Sequence, residues 1–266
     1  MSSVLFLFLA HLGIGMAGTL LLVGHAAGVK FFRFNAGFAA IVLLIALAFR
    51  PDTLAGGGLD AVGFVALIVA TGALLVYWAT VGRALSRVRP LLLWTTLLGG
   101  GVALIAQGVS LSAGEMGPAP ALTILSFLSS AALLGGVCTA MVLGHWYLIL
   151  PSMEVSLLQT IVKFHIGSTF LRIAVVVAVV WVALATWQSP SGAGYSRYAM
   201  SIEGVFLWQR LLFGLVAPVV LAFLTWETAK IRSTQSATGI LYVDVFTVIV
   251  GEVLAKYLFL STRVPV

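Results

Sequence analysis

Long apolar runs broken by short polar stretches dominate the pattern of this chain. Eight such runs stand out, at about residues 4–26, 34–49, 61–82, 91–113, 121–150, 160–187, 203–226 and 237–260. A helix needs about 20 apolar residues to cross a hydrocarbon core of about 30 Å, and most of the runs reach that length. None shows the short two-residue alternation of a β-barrel strand. The pattern predicts an all-α fold, a polytopic transmembrane helix bundle of about eight spans. The second run is the shortest, closed in by Arg33 and by Arg50-Pro51. Were it re-entrant, the orientation of everything after it would reverse. Spanning is the expectation, because the loop charges then fall into one pattern.

With eight spans, alternate loops carry Lys30 and Arg33, then Arg83, Arg87 and Arg89, then Lys163, then Lys230 and Arg232. The opposite side carries Arg50, Arg197 and Arg263, together with Asp52, Asp60 and Glu115. Basic residues concentrate on the cytoplasmic side of membrane proteins. Eight against three therefore puts both termini outside. The expected location is the plasma membrane, the inner membrane if the chain is bacterial.

Composition agrees with this and removes several functions. Apolar residues make up 61% of the 266 and charged residues 8%, where a soluble domain holds about a quarter charged. The longest loop runs from about Gln188 to Ile202, so residues 1–266 form a single integral membrane domain with no soluble catalytic unit. The net charge of +6 resides in the connecting loops, where topology explains it without nucleic acid. The one cysteine, Cys138, excludes an intramolecular disulfide and a four-thiolate iron–sulfur site. The first run lacks a basic leader and is long for a signal peptide, so it reads as a retained helix. Glycines such as Gly13, Gly15, Gly18, Gly135 and Gly136 report close helix packing, and Pro218 predicts a kink in the seventh helix.

Ionisable groups inside a bilayer are costly and tend to mark a site or a pathway. His145-Trp146-Tyr147 closes the fifth span ahead of Pro151. An aromatic belt accounts for the tryptophan and tyrosine but not for the histidine, which can ligate iron or hydrogen-bond a quinone. In the sixth span His165 and Arg172 are seven apart and share a face, and Lys163 can snorkel to the headgroups. Arg172 is too deep for that and requires a partner. The eighth span carries Asp244, Glu252 and Lys256. Glu252 and Lys256 can pair at i,i+4, and Glu252 lies at a depth Arg172 can reach. In the first run His11 and His25 are fourteen apart, about 21 Å along the axis. His25, His145 and His165 all fall near the cytoplasmic side, so one haem b between two of them is a geometric option. His11 is left without a histidine partner and reads as a hydrogen-bonded bundle residue.

The segment Gly251-Glu252-Val253-Leu254-Ala255-Lys256-Tyr257-Leu258-Phe259 resembles the closing helix of the NrfD/DmsC-like superfamily, the membrane anchors of polysulfide and dimethyl-sulfoxide reductases. Eight spans with short loops are similar to that family as well. The resemblance implies a haem-free subunit that binds a quinone among its helices and exchanges electrons with iron–sulfur subunits docked outside the bilayer. It carries over to Glu252 and Lys256 only. Lys256 stands where the family has arginine, and the His145-Trp146-Tyr147 element has no counterpart in it.

The function expected from these residues is an integral membrane subunit of a respiratory redox complex exchanging electrons with a membrane quinone, menaquinone or ubiquinone. Alone it is not a complete enzyme, and iron–sulfur or cytochrome subunits would supply the electrons. His145, Tyr147 and His165 are the expected contacts to the quinone head, and Trp146, His25 and Lys256 are further candidates for cofactor binding. Arg172, Glu252 and Asp244 are expected to handle coupled protons. A proton-coupled transporter and a purely structural anchor remain the alternatives. Two variants follow from this reading: His145→Ala should impair electron transfer, and Arg172→Ala should weaken assembly unless Glu252 is neutralised too.

Overall fold

The structure is a computed structural model that describes every residue except 1, 52–56, 84–85, 113–119, 151 and 190–191. Asp52, Glu115 and Pro151 of the sequence analysis lie outside the described residues. Among the described residues there is no strand, and the helices are α1 (Ser2–Thr19), α2 (Gly28–Ala48), α3 (Leu59–Thr80), α4 (Arg89–Ser112), α5 (Pro120–Ile149), α6 (Ser156–Thr186), α7 (Tyr195–Ala199), α8 (Val205–Leu211), α9 (Ala217–Lys230) and α10 (Thr234–Thr262). Helices α8 and α9 join through a π-helical turn, Leu212–Val216, into one crossing. Eight crossings are then long and apolar enough to span a membrane. The chain is a multi-pass, all-helical bundle. Below, the face where α1 begins is the first face, and the face where α1 ends is the second.

Two boundaries differ from those expected. Helix α1 stops at Thr19 rather than near residue 26, because the amides of Leu20, Leu21 and Leu22 turn back onto the carbonyls of Ala17, Gly18 and Thr19. Such three-residue hydrogen bonds tighten a helix end and let the chain leave it. The residues released join a short 3-10 turn, His25–Ala27, that leads directly into α2. The second crossing therefore runs from His25 to Ala48, 24 residues, and spans comfortably. The feature that made it look short was the lysine and arginine of its first turns, Lys30 and Arg33, which sit inside the helix.

Helices α1 and α5 form the centre, with 61% and 67% of their apolar windows buried against 28% for α3. They cross closely at Gly15 and Gly135. A Cβ on Gly15 would lie 1.9 Å from the Ala131 carbonyl oxygen, so only glycine allows the approach. Around this pair α5 packs on α6 and α10, and α3 packs on α4 at the periphery. A smaller apolar cluster covers the first face, where Val175, Val179, Tyr195 and Leu207 meet Val264 and Val266. Arg263 adopts a left-handed conformation (φ 62°) that ends α10 and turns those last valines inward.

Candidate functional site

Helix α10 carries two buried polar sites. Its rise of about 1.5 Å per residue puts Glu252 about 15 Å from the first-face end and Asp244 about 15 Å from the second, some 12 Å apart. Both side chains are fully buried.

At Glu252 every acceptor position is used. Oε1 receives Arg172 Nε at 3.0 Å and Arg210 Nη2 at 2.8 Å. Oε2 receives Lys256 Nζ at 3.0 Å, Ser130 Oγ at 2.5 Å and Arg172 Nη2 at 3.4 Å. A carboxylate offers about four lone-pair positions, so this one is saturated. Arg172 spends its remaining donors on Ser126, through the hydroxyl at 2.7 Å and the carbonyl at 3.1 Å, and on the Val266 carbonyl at 3.1 Å. Ser130 has one proton and gives it to Glu252, so its 3.1 Å contact with His11 Nδ1 is donated by the imidazole. That leaves His11 Nε2 buried and without a partner among the described residues. The bonds tie α1, α5, α6, α8 and α10 to one carboxylate.

Arg210 reaches this point through a gap built for it. Pro218 has no N–H for the carbonyl of Gly214, four residues back, and the helix there widens into the π turn. A Cβ on Gly214 would fall 1.8 Å from Arg210 Nη1, and one on Gly251 2.2 Å from Gly214 Cα. The π turn and α10 meet at these two glycines, and the guanidinium runs past them to Glu252. Its Nε and Nη1 have no partner among the described residues. Three cations thus share one carboxylate.

The second site is sparse. His165 Nε2 and Asp244 Oδ2 are 2.9 Å apart, both fully buried. His165 Nδ1 and Asp244 Oδ1 have no partner among the described residues. A histidine–carboxylate pair with a free nitrogen and a free oxygen can take up, hold or pass a proton without rearranging the helices around it.

The structure pairs Arg172 with Glu252 and Glu252 with Lys256, as the sequence suggested. It does not gather His145, Tyr147 and His165 at one place. Successive helical residues point about 100° apart, and the three residues of the His145-Trp146-Tyr147 element diverge accordingly. His145 is exposed and shares a hydrogen bond with the Tyr242 hydroxyl, Nδ1 to Oη at 2.8 Å. Trp146 turns its ring edge to Phe31, and the buried Tyr147 hydroxyl donates to the Glu154 carbonyl.

His25 lies elsewhere, on a cavity of about 480 Å³ at the second face between the end of α1 and helices α2, α3 and α4. Leu20, Val23, Val29, Phe32, Val81 and Leu93 form its apolar wall, and His25, Tyr77, Ser86 and Arg89 its polar part. Arg89 also donates to the Thr80 carbonyl at 3.2 Å, and the His25 ring lies 6.0 Å from that of Phe32. A bis-histidine haem would need two of His25, His145 and His165 facing one another. Their settings (a cavity wall beside α2, the exposed surface beside Tyr242, a buried ion pair) do not fit that arrangement.

Sequence reasoning overlooked Arg210, Tyr77 and Arg89 as site residues. For Arg210 the signal was present. Eleven of the fourteen lysines and arginines fall in loops or near helix ends, and the other three are Arg172, Arg210 and Lys256. All three meet at Glu252. Tyr77 and Arg89 carried no such signal, since a tyrosine and an arginine at span ends match any membrane boundary.

Fold and site together define a polytopic helical membrane protein with a buried ionic network and a membrane-boundary cavity. No protein-family model matches the chain, and no curated protein matches it.

Proposed function

We propose that this protein is the quinone-reactive subunit of a membrane redox complex, the function that the closing-helix resemblance to the NrfD/DmsC-like anchors implies. The observation that carries the proposal is the cavity at His25. Small-molecule sites are mostly apolar clefts of about 300–1,000 Å³ with a few converging polar groups, and this one has that size and lining. Its position at the second face, among helices that contact lipid, lets an isoprenoid tail stay in the bilayer while the ring enters. The His25 imidazole and the Tyr77 hydroxyl can hydrogen-bond quinone oxygens, and Arg89 can stabilise a negative charge that develops there. On this reading the quinone head binds beside His25 rather than beside His145.

Reducing a quinone to quinol takes two electrons and two protons, and the reverse reaction releases them. The electrons belong to iron–sulfur or cytochrome subunits, since this chain has one cysteine and no described histidine pair suited to haem. The protons can be exchanged at His25 and Tyr77. In the bundle interior the His165–Asp244 pair is the second protonatable group.

The test is purification with associated subunits, identification of those by mass spectrometry, and solvent extraction of bound quinone. Quinol-linked turnover is then compared across variants. His25→Ala and Tyr77→Phe should each raise the KM for quinone about ten-fold, the worth of about one hydrogen bond. A protein with no quinone, no redox partner and variants indistinguishable from the parent would overturn the assignment.

A further inference from the structure

A second groove on α2 faces the opposite way from the quinone cavity. It measures about 440 Å³ and runs between α2 and α3, with Lys30 and Arg33 at the second-face end. Phe34, Phe38 and Ile41 form one apolar wall, all exposed, and Trp78 lies across the floor. Phe34 and Phe38 are stacked with centroids 6.5 Å apart and an interplanar angle of 10°. Gly37 makes room for Trp78, because a Cβ there would sit 2.6 Å from the indole nitrogen. The Arg33 guanidinium is 5.8 Å from the Trp78 ring, and neither Lys30 nor Arg33 has a carboxylate in ion-pair range among the described residues.

The molecule contains a built-in comparison. On α6 and α9, Lys163 and Lys230 likewise stand over a tryptophan, Trp226, at 5.0 and 5.8 Å. There Lys230 is neutralised by Glu227 at 2.6 Å. Both sites have a ring and two cations, but only the α2–α3 site combines two uncompensated charges with an apolar channel below them. Each cation at the membrane boundary adds to the attraction for anionic headgroups, and the phenylalanine wall is suited to an acyl chain.

We infer that this groove binds an anionic phospholipid, its phosphate between Lys30 and Arg33 and one acyl chain along Phe34, Phe38 and Ile41. The inference is independent of the redox function. Native mass spectrometry of the detergent-purified protein tests it, with phosphatidylglycerol, phosphatidylcholine or inorganic phosphate added. The parent protein should retain phosphatidylglycerol over phosphatidylcholine about thirty-fold, as expected for two basic groups at the membrane surface. Lys30→Gln with Arg33→Gln should bring that ratio close to one, whereas Lys163→Gln with Lys230→Gln should leave it in place. Both pairs are at the surface, and size-exclusion profiles matching the parent's will show that the bundle is intact. Retention unaffected by the Lys30 and Arg33 changes, or lowered equally by the control pair, overturns the proposal. Displacement of the lipid by millimolar inorganic phosphate would also overturn it, since the site would then read the phosphate and not the chain.

Discussion

The two polar sites on α10 differ in how completely they are satisfied. Glu252 accepts from four side chains, three on other helices (Ser130 on α5, Arg172 on α6, Arg210 on α8) and Lys256 on its own. Among the described residues the Asp244 carboxylate has one partner, His165, and each member keeps one buried atom without a bond. A saturated network has one arrangement and resists change, while an under-satisfied pair can gain or lose a proton with little strain. The first site therefore reads as the clamp of the bundle and the second as its working group, although both are acids at equal depth in one helix.

The largest effect should come from removing the clamp's anion. Glu252→Gln leaves Arg172, Arg210 and Lys256 buried around a neutral amide. Breaking a buried ion pair from one side costs about 3–5 kcal/mol, so the variant should aggregate or melt far below the parent in detergent. Unchanged thermal unfolding would show that the clamp is not structural. Arg172→Ala should also weaken assembly. Neutralising Glu252 at the same time, which a simple pair would predict as a rescue, should give none, because Arg210 and Lys256 would then lose the carboxylate they share. A restored melting temperature in that double variant would reduce the network to one pair.

Gly214→Ala comes next. Its Cβ would overlap Arg210 Nη1, and the side chain must leave its route to Glu252 or the π turn must move. Overpacking of this kind costs about 1–3 kcal/mol. The readout is the melting temperature, and an alanine accommodated without loss would mean that Arg210 does not depend on the gap.

Much of this was legible in the sequence and part was not, for physical reasons. Span number followed from hydropathy because the bilayer fixes both length and polarity. The pairing of Arg172 with Glu252 followed from depth, since a charge at mid-bilayer needs a partner. Helix rotation was not legible. His145, Trp146 and Tyr147 look like one site in a string of letters, but a helix fans them over some 200° and sends only His145 to the surface. The cavity at His25 was not legible either, because it arises where α1 ends early, and that ending rests on three backbone hydrogen bonds.

The working pair gives a test that separates chemistry from architecture. Asp244→Asn keeps the shape and can still hydrogen-bond His165, but it cannot carry a proton at any ordinary pH. The bundle should stay within about 1 kcal/mol of the parent's stability, in contrast to Glu252→Gln, because a neutral amide replaces a group with one side-chain partner among the described residues. Quinol-linked turnover should fall about ten-fold or more, since losing a positioned acid–base group costs that much even when binding is intact. Collapse of the bundle on Asp244→Asn would erase the distinction between the two sites and make the pair a second clamp.

The smallest effect is expected at His145. It is exposed, and its described hydrogen bond, to Tyr242, joins two neighbouring helices at the lipid-facing surface. Truncating such a residue changes stability by no more than about 0.5 kcal/mol, and the Tyr242 hydroxyl can turn to headgroup water. His145→Ala should therefore leave both melting temperature and turnover at parent values, where His25→Ala raises the KM. That contrast decides where the quinone head is read. If His145→Ala abolishes turnover and His25→Ala does not, the head meets the α5–α10 surface, and the cavity beside α2 serves some other apolar molecule.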